Sequence, residues 1–309
     1  MKSTLLGVLA YALCIGQQLP PLRIAGNTST IELSPVLLAA SGLYRGQVTV
    51  INGGIPNLMR GEVDAATNAE TQLLRQSVDD PTLRIIFTEA ESFYRVVARR
   101  SAGIASVKDL RGKKIAVAPN TSAHYYLVKL LALSGVPEDA VTVVPIAPIT
   151  RMSEALKNRE VDAVAIWEPE AGNSAAALGA DAVVFENRSA YRELFNLQTS
   201  TKVLSDRVKR RALVEFVKAL ITASATVRAH PEDSWPLLSS KLNYPVPTIA
   251  RSWAQLRYSG VIAPDLLAVM VEEDRWVAKE RKRAPRSRGQ LAVFIDRSIL
   301  DEAKGAPAK

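Results

Sequence analysis

Two stretches of the chain run through the same alternation of apolar and polar segments. The first starts at Leu22: LRIAG reads as a strand, NTSTIEL as a polar loop, SPVLLAASG as a helix and QVTVIN as a second strand, before MRGEVDAATNAE. The second starts at Lys114: KIAVAPN reads as a strand over Lys114–Ala118, TSAH as the turn, YYLVKLLALSG as a helix and AVTVVPI as a strand, before KNREVDAVAIWEPE. Leu127, Leu130, Leu131 and Leu133 recur at helical spacing and predict a buried face. Both helices are expected to stop at a Ser-Gly pair, with Gly42 and Gly135 as left-handed C-caps. Both stretches then reach the tetrapeptide EVDA, at Glu62–Ala65 and Glu160–Ala163. Two such βαβ units predict an α/β protein of two similar lobes with a cleft between them.

The remaining pattern organises the lobes. FYRVVARR reads as the strand in which the chain crosses to the second lobe, and the return falls around Asn187–Asn196. Beyond Ser205 the apolar positions Val208, Leu213, Phe216, Val217, Leu220 and Ile221 predict a helix that ends before Pro231. Further helices are expected over 232–243, 247–259, 264–283 and 289–303, packed on the first lobe. Residues 17–92 and 196–309 then form a discontinuous first lobe and 93–195 the second, with a hinge of two crossings.

Candidate ligand residues follow from the strand ends, where parallel sheets bind ligands. In the first lobe these are Asn27, Thr28 and Ser29, then Gly53 and Gly54, then Asn68 and Glu70. Turn chemistry alone also places Asn, Ser and Gly at such points. The paired glycines let a backbone N–H approach a ligand closely. In the second lobe Asn120, Thr121, Ser122 and His124 form the first turn of a helix, where unpaired N–H groups attract anions and polar groups. Trp167 and Glu168 close the strand AVAI. Trp can cover a flat ring or a methylene chain. Packing of the Trp and solvation of the Glu explain the same pair without a ligand. A buried Glu168 opposite a sulfonate is costly, so if it faces the site it selects a zwitterion or a nitrogen heterocycle. Asp64 and Asp162 open matching strands and read as structural.

The segments KDLRGKKIAVAPNTSAHYYL, EALKNREVDAVAIWEPE and LAVFIDRSIL make the chain similar to the type 2 periplasmic solute-binding proteins of ABC importers. The branch it resembles takes up nitrate, taurine, alkanesulfonates and thiamine-pyrimidine precursors. The resemblance runs from about Leu22 to about Ala303. It implies a two-lobed type 2 binding-protein fold and an extracytoplasmic receptor that closes on a small polar solute and passes it to an ABC permease in the inner membrane. It implies no catalysis, no cofactor, no bound metal and a monomer. Ser122 resembles the family's helix-start serine, His124 its frequent histidine two places on, and Trp167-Glu168-Pro169 its stretch at the cleft. One departure stands out: LYRGQVTV is shorter than the family's acidic, glycine-containing turn and has no acid. Two alternatives share the fold: an enzyme of thiamine-pyrimidine or menaquinone biosynthesis, and a periplasmic ligand sensor.

Composition sharpens this picture in three places. The first residues, MKSTLLGVLAYALCIGQQ, carry one Lys and an apolar run from Leu5 to Ile15, too short to span a bilayer and suited to a signal peptide over 1–16. A free periplasmic protein is favoured over a lipoprotein anchored at Cys14, the one cysteine of the chain. With two histidines, His124 and His230, and no GxSxG, HExxH, P-loop or GxGxxG, acid–base and nucleotide chemistry have few carriers. The net charge of +8 is concentrated in RWVAKERKRAPRSR, Arg275–Arg288. No aromatic interleaving accompanies that run, so it reads as a solvated helix end rather than a nucleic-acid surface.

Overall fold

The computed structural model describes residues 19–305. The expected leader over 1–16, with Cys14, lies outside them. Among these residues the chain builds β1 (Leu22–Gly26), β2 (Val48–Asn52), β3 (Ala65–Ala69) and β4 (Leu83–Ser92). It crosses through Phe93 and Tyr94 and builds β5 (Arg95–Arg99), β6 (Lys114–Val117), β7 (Thr142–Val144), β8 (Ala163–Ile166) and β9 (Ala182–Glu186). It returns through residues 187–192 to add β10 (Glu193–Ser200) and β11 (Leu256–Arg257). The result is two mixed sheets, β11-β4-β10-β3-β1-β2 and β7-β6-β8-β5-β9, each with helices around it. This is the two-lobed α/β architecture expected from the pattern.

The repeat is visible in the register. β1 lies between β2 and β3, parallel to both, and β6 lies between β7 and β8, parallel to both. Each unit is then extended by an antiparallel strand, β10 against β3 and β5 against β8. The EVDA aspartates hold the units together alike. Asp64 accepts from the backbone N–H of Arg23 at 2.9 Å, and Asp162 from that of Lys114 at 3.0 Å. In return Asp64 N–H donates to Arg23 O and Asp162 N–H to Lys114 O, both at 2.8 Å.

The helical run after β10 is long because its apolar face keeps helical period. Asp206 caps it, accepting from the N–H groups of Val208 and Lys209, and Leu213, Phe216, Val217 and Leu220 are buried along Arg207–Ala229. Val208 points to solvent.

Several local expectations change. Leu133 is exposed rather than part of the buried helix face, and the helix expected over 247–259 ends at Ser252, with a short turn leading into β11. Gly135 is in the left-handed conformation at φ 71°, but Gly42 is extended at φ 165°, because the first repeat's helix ends in a wide turn over Ala39–Leu43. The last expected helix is two, Arg288–Ala292 and Ser298–Ala303. Between them Phe294 O and Asp296 N–H pair with the backbone of Ile85, so the chain serves β4 there instead of winding on. The basic run is not simply solvated: Arg283 and Arg286 both pair with Asp274, which is fully buried.

Candidate functional site

Where the strand ends of the two sheets face each other, they enclose a cavity of about 540 Å³. Asn27 follows β1, Gly53 and Gly54 follow β2, Asn68 lies in β3, Asn120, Thr121 and Ser122 follow β6, and Trp167 follows β8; all eight line the cavity. Thr28, Ser29, Glu70, His124 and Glu168 do not.

Each absence has a local cause. Thr28 donates through its N–H and hydroxyl to Asn52 Oδ1, both at 3.2 Å, and so braces the neighbouring loop. Ser29 donates its N–H to Asn27 Oδ1 in an ordinary Asx turn. Glu70 is fully buried and accepts from the Tyr191 hydroxyl at 2.7 Å and the Leu194 N–H at 2.9 Å. It thus ties the first lobe to the returning crossing. His124 packs edge-on against Trp276 and accepts from the Asn120 N–H at 3.3 Å; burial holds its pKa below the usual value. Glu168 is 1% exposed and held by Arg95, the Ser252 hydroxyl and the Gly172 N–H.

The residues that do reach the cavity are partly committed to one another. The Gly54 N–H donates to Asn57 Oδ1 at 3.0 Å. A Cβ on Gly54 would stand 2.7 Å from Asn68 Nδ2, and one on Gly53 2.2 Å from Asn57 Oδ1. The glycines therefore let this loop close on its own amides. Asn120 adopts the left-handed conformation at φ 62°. The Thr121 hydroxyl donates to Ala118 O, and Ser122 meets Thr71 at 2.5 Å, hydroxyl to hydroxyl. With Gln72 Nε2 donating to Asn120 O at 2.8 Å, two polar links join helix Glu70–Gln76 to the turn that opens helix Ser122–Leu133.

Sequence reasoning missed the acids. Glu32 and Glu193 both line the cavity. Glu32 Oε1 accepts from the Ser92 hydroxyl at 2.7 Å, while its Oε2 is buried without a hydrogen-bond partner among the described residues. Burial pushes Glu32 up to about 7. Glu193 accepts from the Tyr94 hydroxyl and is raised by burial and by the charges of Glu32 and Glu70. The cation on the lining, Arg75, is paired with Glu280. The Trp167 N–H is also buried and unpartnered among the described residues. The one signal for Glu32 in the sequence was a lone charge inside the apolar run IELSPVLL.

Comparison with known proteins adds the lineage. Residues 53–234 match the family model described as NMT1/THI5 like. A putative aliphatic sulfonates-binding protein of Escherichia coli (strain K12) is 26% identical over 156 residues, 50% of this chain and 47% of that protein. The match thus spans about half the length of that curated relative. In structure, the alkanesulfonate-binding protein SsuA from Xanthomonas axonopodis pv. citri, solved with MOPS bound, superposes with a TM-score of 0.73 at 19% identity, covering 90% of this chain and 99% of that one. The desulfurization enzyme DSZB shares the fold at a TM-score of 0.64 and 15% identity, covering 92% and 99%.

Proposed function

Because the chain belongs to the NMT1/THI5-like family, we propose that it is the extracytoplasmic substrate-binding protein of an ABC importer. It takes up a small polar solute between its two lobes and presents the closed form to a membrane permease. The observation that carries this reading is the cavity itself. It is walled by strand ends of both sheets, it has the size of a small-molecule site, and Thr71–Ser122 and Gln72–Asn120 bridge its two sides. Two crossings, at Phe93–Tyr94 and over 187–192, form the hinge about which such lobes close. The reading asks no covalent chemistry of the cavity residues. It places the protein in the periplasm as a monomer, after removal of a leader over 1–16. The name of the Escherichia coli relative brings aliphatic sulfonates into the candidate set. Nitrate, taurine-like zwitterions and aminopyrimidines complete it.

A thermal-shift screen against these four classes tests the proposal. A solute at a hundredfold its dissociation constant adds about 2.7 kcal/mol to the folded state, several degrees in Tm for a chain of this size. A saturable shift with one class supports a receptor. No shift with any class, repeated by calorimetry, removes the support for a solute cavity of this kind.

A further inference from the structure

We infer that the solute carries a cationic N–H group, an amine, an amidine or a protonated aminopyrimidine, and that this group seats on Glu32 beside Glu193. The inference rests on the solute-binding reading above and deepens it.

Glu32 is 1% exposed, lines the cavity, and leaves Oε2 with no hydrogen-bond partner among the described residues. A buried carboxyl oxygen without a donor costs free energy. Glu89 and Glu273 also carry such oxygens, but neither lines the cavity; Glu32 does, so a solute can supply its missing donor. No cation among the described residues serves Glu32. The Ser92 hydroxyl reaches only Oε1, and Arg95, the guanidinium of the neighbouring lobe, is held by Glu168. Glu193, the second acid on the lining, gains a hydroxyl from Tyr94 and is repelled by Glu32. Arg75, the cation on the lining, is neutralised by Glu280. The polar wall therefore offers two carboxyl groups and no free positive charge to an incoming solute.

A bare anion is the poorer fit. Nitrate or an alkyl sulfonate entering this space brings a negative charge toward two buried acids, and burying a charge without a counter-charge is unfavourable. A cationic N–H group reverses each term. It donates to Oε2, holds Glu32 ionised and screens Glu193. An acidic group elsewhere on the same solute still finds the unpaired N–H groups opening helix Ser122–Leu133. A zwitterion and a simple cation both satisfy the site, and a monofunctional anion does not.

Matched pairs that differ only in the amino group isolate this contact. Taurine against 2-hydroxyethanesulfonate, β-alanine against propionate, and 4-aminopyrimidine against pyrimidine are titrated calorimetrically into the full protein. Binding at least tenfold tighter by an amino member than by its mate is the expected result. Glu32→Gln keeps the Ser92 contact, removes the charge, and should shrink that ratio to below threefold while the protein still melts cooperatively. Glu193→Gln should halve it or more, and serves if Glu32→Gln does not fold. An amino-free anion that binds as tightly as its amino mate overturns the inference and leaves the solute cavity standing. Silence from every member overturns both.

Discussion

Thr71 and Ser122 stand hydroxyl to hydroxyl at 2.5 Å, the first on a helix of the first lobe and the second at the opening of a helix of the second. Thr71 has a single hydroxyl proton, and it goes to Glu273 Oε1 at 2.8 Å. Ser122 therefore donates to Thr71 and has no proton left for a ligand. Its backbone N–H remains the group it can offer. The lobes thus meet through a directed chain, Ser122 to Thr71 to Glu273, all of it buried.

Thr71→Val cuts that chain with little change of volume. Both neighbours lose a partner, so unfolding in urea should show a loss of about 1–2 kcal/mol. A midpoint unchanged within error would mean that the contact adds no stability.

Glu168 holds Arg95, Ser252 and Gly172 from within the second lobe and outside the cavity. Glu168→Ala leaves a largely buried guanidinium without its counter-charge and should cost about 3 kcal/mol. Solute affinity, measured well below the new Tm, should stay within about threefold of wild type, since a tenfold change corresponds to about 1.4 kcal/mol of lost contact. A selective loss of affinity with normal stability would put Glu168 back among the ligand residues.

Glu32 predicts opposite pH trends for stability and for binding. The groups around it are the Ser92 hydroxyl, Glu168, Glu193, Tyr94, Tyr244 and Tyr258, with no cation among its causes of shift. Its folded pKa of about 7 lies above the ordinary 4.5, so the folded state holds the proton more tightly than the unfolded chain. That stabilisation is complete below pH 4.5 and is lost as pH rises through 7. Between pH 5 and 8 wild type should lose on the order of 2–3 kcal/mol relative to Glu32→Gln. Cation binding should strengthen over the same interval. Parallel pH profiles for the two proteins would contradict the raised pKa.

Trp167 is the tryptophan of the cavity lining, the others of the described residues lying elsewhere. Solute binding should change its fluorescence, and Trp167→Phe should abolish that change while leaving the protein folded. Trp167→Ala should weaken binding by about tenfold or more through lost apolar cover. An undiminished signal in Trp167→Phe would move the reporter to another site.

Some of this was legible in the residues and some was not. The paired EVDA segments announced the two-lobed fold, and Asp64 and Asp162 perform the same strand-joining contacts in both units. Trp167 and Glu168 show the limit. Periodicity put both at a strand end, but adjacent residues there diverge, and only the arrival of Arg95 and Ser252 decided that the Glu turns away. Glu70 is likewise drawn from the cleft by Tyr191, 121 positions along the chain. Glu32 fell within the polar loop NTSTIEL and drew no reading of its own. Its burial depends on Ser92, Tyr94 and Glu193, none of them near in sequence.

The strand order of the first sheet also sets a timetable for synthesis. β4, ten residues long and almost wholly buried, has β10 and β11 as its neighbours, and both are made after the entire second sheet. While the ribosome works through residues 93–192, β4 is complete and has no partner, and β3 has an unfilled edge. The second sheet, contiguous in sequence, is the first that can close. Until β10 arrives the nascent chain carries an apolar strand with every ladder position vacant, the interval in which it most needs a holding chaperone.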